Sequence, residues 1–185
     1  GCLLHPLHLG RDLREYCRYG RRTCGEARCT AYNYLREEEA AALIASCRDW
    51  HHYGLCITDI DLVKDFFELC EMRLFGPVDP GRVSREPELA RAFSDYLDFK
   101  EHWPWATDPD RFGKYYCEEK NYRIYLIDYV KLGVRAPAHN DILLSLGSVI
   151  ETHDQLERAV SLIDEKVDAF VRAYGMKKAA GDGRE

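Results

Sequence analysis

The chain has 185 residues, of which 46% are apolar and 31% charged, a globular rather than a disordered balance. A domain of that length buries roughly 70% of its unfolded surface, so it needs neither a disulfide framework nor a metal to fold. The net charge of −6 disfavours nucleic acid and anionic lipid as generic partners, because both require a cationic surface, and no apolar run approaches the ~20 residues that span a bilayer.

The first 32 residues read as an irregular, basic, cysteine-rich segment. Pro6, Gly10, Gly20 and Gly25 interrupt them, and only a short helix around Arg11–Tyr19 fits. Between Gly10 and Cys29 lie six arginines, among them Arg18, Arg21 and Arg22, against three acids. Such a stretch either neutralises the acidic body of its own protein or binds phosphate, RNA or an acidic partner. A chain opening Gly1-Cys2 reads as processed or cut from a longer parent.

Regular patterning begins at Asn33, an N-cap candidate. Ala40, Leu43, Ile44, Cys47 and Trp50 recur at helical spacing and predict one helix from Glu37 to Tyr53, closed by Gly54. A second helix follows Thr58, with Leu62, Val63, Phe66, Leu69, Cys70 and Leu74 facing inward and Gly76-Pro77 stopping it. Asp79-Pro80-Gly81 is a turn by composition. Ser84 is expected to cap a helix carrying Leu89, Ala90, Phe93 and Leu97, which Trp103-Pro104-Trp105 ends. Glu118 to Leu132 reads as a further helix bearing Tyr122, Tyr125, Leu126 and Tyr129, and Asn140 caps another over Asp141–Ile150. Only Leu55–Thr58 and Val130–Val134 suit short extended pieces.

The last helix is the clearest. Thr152 and Gln155 form a capping box. Leu156, Val160, Ile163, Val167, Phe170 and Tyr174 then step by four and three, and Gly175 is placed just past the end. Ala159, Leu162 and Ala173 widen the stripe beyond a two-in-seven seam. That width favours burial within the same chain over a coiled coil with a second copy. The expected architecture is an all-α, single-domain bundle of six to eight helices over residues 1–176, with a flexible tail from 177 to 185.

Three sets of residues invite a chemical reading. Cys24, Cys29, Cys47 and His51 supply three thiolates and an imidazole, the donors of a closed tetrahedral zinc site, with Cys47 and His51 one helical turn apart. The same residues are candidates for a cysteine–histidine nucleophile. The alternative is that these cysteines are reduced and pack as small apolar side chains, as expected of an intracellular, cytoplasmic or nuclear protein. The aromatic loop with Trp103, Trp105, Tyr115 and Tyr116 is a candidate contact surface, since such rings offer area at little entropy cost. Neither G-x-G-x-x-G nor G-x-x-x-x-G-K-[ST] occurs, so those routes to nucleotide binding are absent.

Two passages carry family likenesses. Asn121-Tyr-Arg-Ile-Tyr125, through Gly133-Val-Arg-Ala-Pro137, to Asp141-Ile-Leu-Leu144 resembles the "helix, G-V-x-x-P, helix" passage near the end of opine- and ketopantoate-type dehydrogenases. That resemblance implies a helical substrate or dimerisation domain of an NAD(P)-dependent enzyme whose Rossmann domain is not in this sequence. Leu43-Ile44 and Trp50, followed by Leu62 to Phe67, resembles the small Bcl-2-like host-modulating proteins of poxviruses. Neither likeness transfers a functional residue. The sequence is read as a non-catalytic, regulatory helical module that binds another protein or its own copy, without a cofactor. The dehydrogenase-type domain and a small structural-zinc module are the alternatives.

Overall fold

The computed structural model describes residues 10–11, 30–108, 111, 113–118 and 121–181. The basic segment therefore lies almost entirely outside the described residues. So do Arg18, Arg21, Arg22, Cys24 and Cys29, the short helix expected near Arg11–Tyr19, and the end of the tail from 182.

The described chain is mostly helical. In order it forms α1 (Thr30–Tyr34), α2 (Glu37–Ser46), α3 (Trp50–Ile57), α4 (Ile60–Leu74), a 3₁₀ turn (Pro80–Arg82), α5 (Pro87–Leu97), α6 (Phe99–His102), β1 (Tyr115–Glu118), β2 (Asn121–Ile124), α7 (Asn140–Ser145) and α8 (His153–Gly181). The helix α8 packs on α5 and α4, α7 packs on α4, and α2 lies against α5 and the 3₁₀ turn.

The local signals act largely as their chemistry requires. The Asp79 carboxylate accepts from the Gly81 amide at 2.9 Å and starts the 3₁₀ turn. Pro87 occupies the first turn of α5, where its missing N–H costs nothing. At the head of α8 the Gln155 amide N–H donates to Thr152 Oγ1 and the Gln155 side-chain oxygen accepts from the Thr152 amide, both at 3.2 Å. The helix then buries Leu156, Ala159, Ile163, Val167, Phe170 and Tyr174 within its own chain. Ala159 takes the fully buried place that spacing alone gives to Val160, which is only half-buried. Gly175 does not end the helix. The run Met176-Lys-Lys-Ala-Ala favours helix strongly enough to continue through a glycine that costs only ~1 kcal/mol.

Four expectations are corrected. Glu37–Tyr53 is not one helix: α2 ends at Ser46, and Asp49 caps a new helix by accepting from the His52 amide at 2.8 Å. In a described chain that is otherwise mostly helical as expected, Glu118 and Asn121–Ile124, expected to begin a helix, belong instead to an antiparallel hairpin, with Tyr115 opposite Ile124 and Glu118 opposite Asn121. Its Tyr- and Ile-bearing strands prefer a pleated, half-exposed surface to a helix. Residues 125–139 are turns and coil, so the helix that should precede Gly133 in the dehydrogenase-like passage is absent. Finally, α7 stops at Ser145 rather than Ile150, because Gly147 takes a left-handed φ of 68°. The Ser148 amide then closes on Leu143 O at 3.1 Å and the Gly147 amide on Leu144 O at 3.0 Å, a Schellman ending. A Cβ at Gly147 would meet the Arg111 carbonyl oxygen at 2.5 Å, so glycine is required there twice over.

The core gathers Phe66 and Phe67 of α4, Phe93 and Tyr96 of α5 and Phe170 of α8. Beside it, on the α4 face toward α7, burial pushes the Asp65 carboxyl up to about 7. Asp141 of α7 and Asp61 and Glu68 of α4 push the same way, and Lys114 opposes them. An unfolded aspartate titrates near ~4. The folded state therefore holds the extra proton between roughly pH 4 and 7, and stability from this group is lost as pH rises through about 7. Asp65→Asn is expected to unfold at higher urea than the wild type at pH 8, by about 1–2 kcal/mol once solvent screening is allowed for, and to match it at pH 4. Equal stability at pH 8 would show that the carboxylate is comfortable where it lies.

Candidate functional site

The break between α2 and α3 builds the most distinctive surface of the described chain. The buried face of α2 is Glu39, Ala42, Leu43 and Ser46, one step away from the Ala40–Leu43–Ile44–Cys47 face read from spacing. Ile44 is consequently 52% exposed. Restarting the helix at Asp49 turns Trp50 outward as well, to 67% exposure, with an edge contact to Tyr53 at 5.9 Å between ring centroids. Ile44, Cys47, Arg48, Asp49, Trp50 and Tyr53 line an open groove of about 290 Å³.

Polar groups hold the rim in place. Arg48 reaches back to α5 and α6, pairing with Asp98 at 3.2 Å and with Glu101. His52 is fully buried. Its Nε2–H donates to Leu97 O at 3.0 Å and its Nδ1 accepts the Arg48 amide at 3.4 Å. The Nε2 bond fixes α3 to α5, and the Nδ1 bond holds α3 to the backbone just before it. Hydrogen bonding from the His52 amide holds the Asp49 carboxyl below the ordinary carboxylate range.

Cys47 lines the groove and Cys56 is buried, and both are free. The neighbouring Cys47 and burial together push the Cys56 thiol well above its usual value. Cys70 is buried in the core and raised to a value far from neutrality by burial, an inert apolar thiol.

The residues singled out from the sequence separate in the structure. Cys47 lies at the end of α2 and His51 on α3, where its Nε2 stands 3.7 Å from Glu101 on an exposed edge. The four-residue spacing therefore does not set the two on one helix face. Among the described residues no three His, Cys, Asp or Glu side chains converge as a metal site. A zinc set would have to be completed by Cys24 and Cys29, which lie outside those residues.

Trp103 lies in the core instead of on the surface. It is 5% exposed, its indole N–H donates to Ser148 Oγ at 2.8 Å, and it packs between Phe99 and Trp105 at 5.0 Å. The loop folds inward because Ser148 supplies the acceptor that a buried indole needs. Trp105 is half-buried against the same core. Tyr115 is exposed on β1, and Tyr116 occupies the next position of that strand.

Sequence spacing missed Ile44, Arg48 and Trp50 as surface residues. The signal was Asp49: an Asx residue three before His52 is an N-cap, and it interrupts the period that runs through it. No helix among the described residues is long and apolar enough to cross a membrane. Comparison of the chain with known protein families, with curated proteins and with solved structures finds no match.

The two tryptophans give a direct check of this geometry. Trp103→Phe, which strands no partner but removes one buried hydrogen bond, is expected to cost about 1–2 kcal/mol in urea unfolding. Trp50→Ala is expected to stay within about 0.5 kcal/mol of the wild type. The reverse order of sensitivities would reverse the assignment of surface and core.

Proposed function

We propose that the chain is a non-catalytic helical module that binds another protein through the groove between α2 and α3. The observation that carries this reading is the pairing of Ile44 and Trp50, two large apolar side chains exposed side by side at an open groove while the core behind them is well filled. Tryptophan and arginine dominate binding hot spots because they bring large area or directed charge at a fixed position. Here Arg48 is fixed by its acidic partners on α5 and α6.

Size narrows the occupant. Small-molecule and cofactor sites run from roughly 300 to 1,000 Å³ and enclose most of the ligand. A groove of about 290 Å³ stands at the bottom of that range and is open along one side, so it encloses a ligand poorly and suits a single large side chain better. The occupant is therefore a short segment of a different protein, presenting one aliphatic or aromatic anchor to Trp50 and polar neighbours to Arg48, Asp49 and His51. The dehydrogenase-type and zinc-module readings have no comparable observation behind them.

A peptide library displayed on phage and panned against the folded protein tests this. The expected outcome is enrichment of peptides sharing one apolar anchor, whose binding falls at least tenfold in Trp50→Ala, equivalent to about 1.4 kcal/mol. Binding should be unchanged in Phe75→Gly, a control at an exposed position remote in sequence whose left-handed φ of 51° glycine accepts. No enrichment, or enrichment indifferent to Trp50, would overturn the proposal. Loss of mass in sedimentation on Trp50→Ala would instead assign the face to a second copy of the chain.

A further inference from the structure

We propose that the segment received by the α2–α3 groove is cationic, its apolar anchor flanked by lysine or arginine side chains that pair with Asp49, Asp98 and Glu101. This rests on the groove being a docking face and specifies the chemistry of its partner.

The rim carries unbalanced charge. Arg48 and Asp49 line the groove itself. Beside Arg48 stand Asp98, 3.2 Å from its Nε, and Glu101, in contact with its Nη2. Glu101 also lies 3.7 Å from Nε2 of the exposed His51 ring. Three carboxylates thus gather around one guanidinium, and even a protonated His51 leaves the rim net negative. The other groove residues, Ile44, Cys47, Trp50 and Tyr53, bring no compensating cation.

These acids are open to a partner. Asp49 is exposed, and the side chains of Asp98 and Glu101 are 34% and 24% exposed. The Asp49 carboxyl, held below its ordinary range by the His52 amide, is ionised through neutral pH. A carboxylate accepts hydrogen bonds at about four positions, and the internal bonds leave part of that capacity free. Arg48 is the opposite case. Its Nε and Nη2 already face carboxylates, so it has little left to offer an acidic segment. Lysine or arginine beside the anchor meets open acceptors, and such charge-assisted bonds are roughly twice as strong as neutral ones.

The whole chain adds to the preference. Its net charge is −6, although the stretch from Gly10 to Cys29 holds six arginines against three acids, so the remainder is more acidic still. That field speeds the approach of a cationic partner and slows an anionic one. The groove then fixes the anchor, as the apolar centre of an interface does within its polar rim.

The test is a phage library with one central apolar position and flanking positions drawn only from Lys, Gln and Glu, panned on the intact folded chain. Lysine is expected to exceed glutamate at the flanks of the enriched peptides by about tenfold. The leading peptide, made synthetically, should bind about tenfold more weakly in 0.3 M than in 0.05 M NaCl, because salt screens exposed charges. Asp98→Asn combined with Glu101→Gln should weaken it by a similar factor while leaving its Gln-flanked counterpart unchanged, which a merely structural loss would not do. The salt dependence of the wild type decides the matter if that double variant fails to fold. Trp50-dependent peptides with glutamine or glutamate flanks, or an affinity indifferent to salt, would overturn the cationic assignment and keep the docking face. The absence of any Trp50-dependent peptide would remove the docking face and this assignment with it. A tenfold gain in affinity for the lysine-flanked peptide in the intact chain carrying Arg18→Gln, Arg21→Gln and Arg22→Gln would give the groove to the chain's own basic stretch, and the proposal of a separate cationic partner would fall.

Discussion

The ring of Phe66 lies where three helices meet. Its centroid is 4.9 Å from Phe93 and 4.3 Å from Tyr96 on α5, and 5.1 Å from Phe170 on α8, with Phe67 beside it on α4 at 5.5 Å. Tilted and edge-on pairs of this kind add about 0.5–1.5 kcal/mol each beyond the area they bury. Because Phe66 projects into that junction, α4 runs through the middle of the described fold, with α1, α3, α7 and α8 packed about it. A hydroxyl carried into that cluster needs a partner. The Tyr96 hydroxyl, fully buried in the same cluster, donates to Leu62 O at 2.8 Å. Val167 and Ile163 extend the contact of α8 along the same line.

At one end of that central helix an ion pair does what packing alone does not. The Lys100 side chain is almost wholly buried, between the Asp59 carboxylate at the head of α4 and the Ser145 carbonyl at the end of α7, 2.5 Å away. A buried pair adds little net stability, since desolvation offsets most of the attraction, yet removing one partner costs about 3–5 kcal/mol. On that balance Lys100 contributes to register: it ties α6, α4 and α7 at one point and admits few other arrangements. The space is filled so closely that a Cβ at Gly113 would stand 2.4 Å from the Asp59 carboxylate. Gly113 lets the chain pass where any side chain would collide with the pair.

Much of this was legible in the sequence where a signal was both local and unopposed. The capping box at Thr152, the stripe of α8 and the inner face of α4 are physical consequences of spacing and side-chain chemistry. The hairpin was less visible because Glu118 and Glu119 also suit the first turn of a helix, and that reading outweighed the Tyr- and Ile-bearing strands on either side of them. Trp103 and Trp50 illustrate a limit of a different kind. Each lies in an aromatic, helix-boundary context, and what decides their fates is remote: Ser148 supplies Trp103 with an acceptor across 45 residues, while nothing comparable among the described residues is drawn over Trp50. Burial of an amphipathic ring depends on a partner that spacing does not reveal.

The elbow at Cys47–Asp49 shows how one short-range hydrogen bond propagates into chemistry. A continuous helix would keep Ile44, Cys47 and Trp50 on one stripe, as an apolar face for burial. The Asp49 cap competes with that continuation by offering the His52 amide an acceptor. Once the helix restarts, His52 is carried inward to Leu97. The same turn leaves Ile44 and Trp50 outside, flanking a groove instead of filling a core. The exposed apolar pair and the inward-held His52 are therefore two sides of one backbone event, and a substitution that restored the continuous helix would abolish both together.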